Sequence, residues 1–145
     1  MGKQLDKSNI GYLDIEFQYK LAKIFVEDSK FFEDVASIVD QNAFTDALLR
    51  KFVGTIKDYY SNENVMPSYD VLNIILRERA KTKNDIEEVD ALIKKLKFET
   101  SLEGYIFVKD IALRFFKQQN LIRVANKILE IADALKAHPE VKFQV

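Results

Sequence analysis

Residues able to do covalent or metal chemistry are scarce in this chain. It has no Cys and one His, His138, immediately before Pro139. Thiolate metal sites and disulfides are therefore excluded. A lone His beside a proline near the chain end reads as a solvated residue, not as a ligand or as the base of a Ser-His-Asp triad. There is no GxxxxGK[ST] phosphate loop and no GxGxxG turn. Paired carboxylates occur in IEEVD as Glu87, Glu88 and Asp90. Such pairs can serve acid–base chemistry, but here they lie opposite an apolar helical stripe, as a solvated face does. The expectation is a chain that is not an enzyme and holds no cofactor and no metal.

Nucleic-acid chemistry is the other possibility. Lys109, Arg114, Lys117, Arg123 and Lys127 fall on one long helical segment but spread around more than one of its faces. At most they give weak contact that falls steeply with salt. SYDVLNIILRERAKTKNDIEEVDALIKKL could form a helix-turn-helix. Its second helix starts on acidic residues, which repel phosphate. Phe17, Phe25, Phe31, Phe52 and Phe115 sit at core spacings, not as base-stacking platforms.

The elements that carry these residues are helical. Of 145 residues, 48% are hydrophobic and 31% charged, with only 4 Gly and 2 Pro, too few turn formers for an all-β fold. Net charge is -1, unlike a dedicated DNA-binding domain. It is uneven: residues 1–72 carry 8 Lys/Arg and 12 Asp/Glu (-4), and residues 73–145 carry 14 and 11 (+3). No apolar run approaches membrane-spanning length. MGKQLDKSNIGYLD lacks a signal-peptide core, so a cytoplasmic location is expected.

Six helices are predicted. Asp14 caps the first, Ile15 to Asp28, with Phe17, Leu21, Ile24 and Phe25 inward. A short second runs from Lys30 to Val39. Thr45 caps the third, Asp46 to Tyr60, which carries Gly54 in its interior. Pro67 and Ser68 set the start of the fourth, Tyr69 to Ala80. Asn84 caps the fifth, Asp85 to Leu96. The sixth runs from Tyr105 to at least Leu135 without Gly or Pro. It has one stripe of Phe107, Ile111, Phe115, Ile122 and Leu129, and another of Ile106, Leu113, Val124, Ile128, Ile131 and Leu135. Two arrangements fit. The helix is the spine of a closed bundle, with a kink near Gln118-Gln119-Asn120 able to fold it back. Or its second half projects, and the seam Val124, Ile128, Ile131 and Leu135 packs on something outside the head. The expected organisation is an all-α head (14–104) after a leading segment (1–13), a long interface helix (105–138) and a short tail (139–145).

The order of segments resembles the N-terminal domain of hexameric replicative DNA helicases of the bacterial DnaB type, phage members especially. The resemblance rests on EFQYKLAKIFVEDSKFFEDVASIVDQNAFT, LLRKFVGTIKDYY, NVMPSYDVLNIIL and YIFVKDIALRFFKQQNLIRVANKILEIAD, and spans roughly residues 13–135. It is a pattern of apolar spacing, without a catalytic signature. It implies a helical head followed by a helical hairpin whose first arm is the sixth helix. It also implies self-association in a dimeric or ring-shaped collar, and binding of primase or a helicase loader. The family's ATPase domain is absent from these 145 residues, and the second arm is absent or a stub. This leaves two expectations: a partner-binding domain of a helicase, or a stand-alone replication adaptor.

Overall fold

The computed structural model describes residues 14–137, and the fold is all-α. The helices are α1 (Ile15–Glu27), α2 (Ser29–Val35), α3 (Ala47–Glu63), α4 (Tyr69–Arg79), α5 (Lys83–Lys94) and α6 (Tyr105–Ala137). A 3-10 turn, Gln41–Ala43, precedes α3, and a π-helical segment, Lys95–Glu99, extends α5.

Short polar side chains set the starts. Asp14, Asp28, Asp46, Ser68 and Thr82 accept from the amides of Phe17, Phe31, Leu49, Val71 and Asp85. Each satisfies one of the amides that a helix N-terminus leaves free. Two expected caps move. Asp46, not Thr45, caps α3, because Thr45 is held by Gln18: the Thr45 amide donates to Gln18 Oε1 at 2.9 Å, and Gln18 Nε2 donates to the Thr45 hydroxyl at 2.9 Å. Thr82, not Asn84, caps α5, and Asn84 instead donates to Glu88 within the helix. α2 is shorter than expected. Its chain leaves the helix after Val35, which brings Val39 and Phe44 into the core.

The core joins α1, α2, α3 and the inner faces of α4 and α5. Phe25 lies at its centre, with ring centroids 5.1 Å from Phe32, 6.2 Å from Phe31 and 6.4 Å from Phe44. Phe44, alone in a polar break of the sequence, is fully buried. Gly54 is where α3 meets the 3-10 turn: a Cβ there would lie 2.9 Å from Gln41 Nε2. In the π segment Leu96 is fully buried and Phe98 is 71% exposed.

α6 starts after Gly104, whose φ of 74° is a conformation other residues rarely adopt. It runs unbroken through Gln118–Asn120 for 33 residues, about 50 Å at 1.5 Å per residue. Only its first three turns lie on the head, against α1 and α2. The residues from Leu121 to Ala134 are all exposed. The second half therefore projects, and the folded-back bundle is not formed. No helix of the described residues is long and apolar enough to cross a membrane.

Candidate interaction site on the projecting helix

Two sets of contacts hold α6 to the head. The first is apolar: Val108, Ala112, Phe115 and Phe116 are buried, with Tyr105, Ile111 and Leu113 packed beside them. This corrects the expected stripes. Ile106 and Phe107 are 79% and 65% exposed, so the proximal half is covered on one side, not sandwiched.

The second set centres on Asp28, at the junction of α1 and α2. Asp28 Oδ1 accepts from the Phe31 amide at 3.0 Å. Oδ2 accepts from Lys109 Nζ at 2.8 Å and from the Tyr105 hydroxyl. Lys109 also sits over the Tyr105 and Phe31 rings, 4.6 and 5.3 Å from their centroids. Burial raises the Asp28 pKa, but hydrogen bonds from Lys109, Tyr105 and the Phe31 amide outweigh it and hold the carboxyl at about 2. The bond to Asp28 pushes the Lys109 pKa up. One carboxylate thus caps α2 and clamps the first turn of α6.

Beyond Phe116 the head-facing side turns polar, while the opposite side, which already carries Ile106 and Phe107, stays apolar. At about 100° per residue, Val108, Ala112, Phe115 and Phe116 fall in one arc that faces the head. Leu121, Val124, Ala125, Ile128, Leu129 and Ile131 fall in an arc of about half the helix, centred about 160° away by the same geometry. The distal apolar surface points away from the head, which cannot cover it. Arg123, Asn126, Lys127, Glu130 and Asp133 occupy the head-facing side instead.

The residues expected at an interface lie on the distal half of α6. Val124, Ile128 and Ile131 are 49%, 60% and 51% exposed, and Leu135 is half-buried among its helical neighbours. Ile122 and Leu129, assigned to a separate stripe, share the same half of the helix. Leu121, absent from both stripes, lies near its centre. The basic residues do not converge. Lys109 is committed to Asp28, and Arg114 pairs with Asp110 at 2.7 Å. Lys117, Arg123 and Lys127 are exposed, with Lys117 on the apolar side of the helix and the other two on the polar side.

Of the exposed carboxylates of IEEVD, Glu88 accepts from Asn84 within α5 and Asp90 reaches α4. Asp90 accepts from Asn73 at 3.0 Å and lies 3.8 Å from Arg77, tying α5 to α4. A cleft of about 660 Å³ lies between α3 and the α4–α5 turn. Thr55 within it is already engaged, donating to the Lys51 carbonyl at 2.7 Å and accepting from Arg79. Among the described residues no group of three or more His, Asp or Glu side chains is arranged to hold a metal ion. The chain matches no known protein family, curated protein or solved structure.

Proposed function

We propose that this chain is an N-terminal interaction domain of a DnaB-type replicative helicase, acting in the cytoplasm by protein–protein contact and without catalysis of its own. The observation that carries this reading is the distal half of α6. It holds an apolar arc in solvent, on the side its own head cannot reach. Exposed apolar surface of this kind marks an interaction site. The segment order that resembles the helicase family gives the context: self-association into a collar, and contact with primase or a loader. The spread of Lys117, Arg123 and Lys127 leaves nucleic acid a minor partner.

The reading frame beyond Val145 tests this assignment. A downstream GxxxxGK[ST] motif after a strand is expected. A stop codon would remove the helicase assignment and leave a replication adaptor, to be tested by pull-down with a replicative helicase.

A further inference from the structure

The cleft on the head, about 660 Å³ between α3 and the α4–α5 turn, has the volume of a ligand pocket. Its lining carries charges of both signs. The cations are Lys51 on α3, with Arg79 and Lys81 at the turn. Arg79 reaches the Lys51 turn of α3: its guanidinium donates to the Thr55 hydroxyl at 3.4 Å, and that hydroxyl donates to the Lys51 carbonyl at 2.7 Å. The anions are Asp85 and Glu88 on α5, and Asp58 further along α3. Asp85 and Glu88 are three residues apart and so share a helical face. Asp85 is half-buried and the other five charges are exposed. Among the described residues none of the six forms an ion pair. Opposite charges therefore line one cleft without meeting.

The rest of the lining is apolar. Leu76 and Val89 are buried and Leu48 is half-buried. An occupant that turns a carboxylate to Lys51 and Arg79, a cation to the three acidic residues and an apolar side chain to the leucines and Val89 matches all of it. Its length follows from α3. Lys51 and Asp58 are seven residues apart, about 10 Å at 1.5 Å per residue. Extended polypeptide covers that distance in about three residues, whereas a single amino acid does not. A nucleic acid, anionic along its whole length, is repelled by Asp58, Asp85 and Glu88.

We propose that this cleft binds a short peptide segment of another protein, in which apolar side chains lie between an acidic and a basic one. The site contains no residue of α6, and the proposal stands apart from the role assigned to that helix.

Four tetrapeptides serve as probes, acetylated and amidated so that only side chains carry charge: Glu-Leu-Leu-Lys, Lys-Leu-Leu-Glu, Glu-Leu-Leu-Glu and Lys-Leu-Leu-Lys. Each is added at millimolar concentration to the full isotope-labelled chain and followed by NMR. At least one of the two mixed-charge peptides is expected to shift the amides of Leu48, Thr55 and Val89. It is expected to bind about fivefold more tightly than the like-charged pair, the factor of one hydrogen bond. Lys51→Glu combined with Arg79→Glu alters two exposed side chains, so helicity by circular dichroism stays unchanged. In that variant the preference is expected to invert, with Lys-Leu-Leu-Lys binding most tightly. No shifts with any of the four, shifts confined to α6, or equal binding by all four would overturn the proposal. ε-Aminocaproate carries both charges without a peptide. If it shifts the same amides as strongly, a small zwitterion replaces the peptide as occupant and the proposal falls.

Discussion

Asp28 does the most work of any single side chain. It joins α1, α2 and α6 through one carboxylate. Asp28→Asn keeps the shape and removes the charge opposite Lys109, which is expected to cost about 1.5–3 kcal/mol, the range for a hydrogen bond to a charged group. Chemical denaturation of both proteins at neutral pH measures it. The pH dependence has a definite sign. The folded pKa of about 2 lies below the unfolded value of about 3.9. The stabilisation is therefore complete above the unfolded pKa and is lost as pH falls through the folded one. Between pH of about 5 and 2 the wild type is expected to lose roughly 1–2 kcal/mol more than Asp28→Asn. Parallel acid titrations of the two would refute this. Sequence reading missed Asp28's second role, because its partners Tyr105 and Lys109 lie 77 and 81 residues away, and spacing rules see only neighbours.

At the scale of elements, periodicity made the helices legible and left their ends less so. α1 and α4 start at the predicted caps, since Asp14 and Ser68 each stand alone before an apolar repeat. At Thr45-Asp46 and at Thr82 to Asn84 several capping residues compete, and tertiary contact or local geometry decides. Gln18 takes Thr45, leaving Asp46 as the cap. Thr82→Ala is accordingly expected to cost about 1 kcal/mol, and Asn84→Ala only a few tenths, both read from thermal melts. The π segment had no sequence signal, because Leu96 falls on the stripe of Leu92 and Ile93 at ordinary α-helical spacing. On α6 the stripe of Ile106, Leu113, Val124, Ile128, Ile131 and Leu135 keeps to one side, away from the head, whereas Val108, Ala112 and Phe116, which dock the head, belonged to neither stripe. The projection itself was legible, since the preceding helices are too compact to cover a helix of this length.

At the scale of the molecule, the head and the arm have separate jobs. The head fixes the direction of α6 through Phe116 and its neighbours, and the arm carries the exposed surface. Phe116→Ala is expected to cost about 3–5 kcal/mol, as for a fully buried aromatic, and to loosen the arm from the head. Ile128→Asp lies far from that contact and is expected to leave the fold of the head intact, with the melting temperature lowered only by the lost association and therefore converging on wild type at low protein concentration. The account's central claim is that the distal arc of α6 binds another protein chain, and self-association is its most accessible form. Light scattering on wild type and Ile128→Asp tests it most directly. The account predicts a wild-type mass above the 16.8 kDa of one chain and a mutant at that single-chain mass with its helicity intact. Equal masses for the two proteins would contradict it.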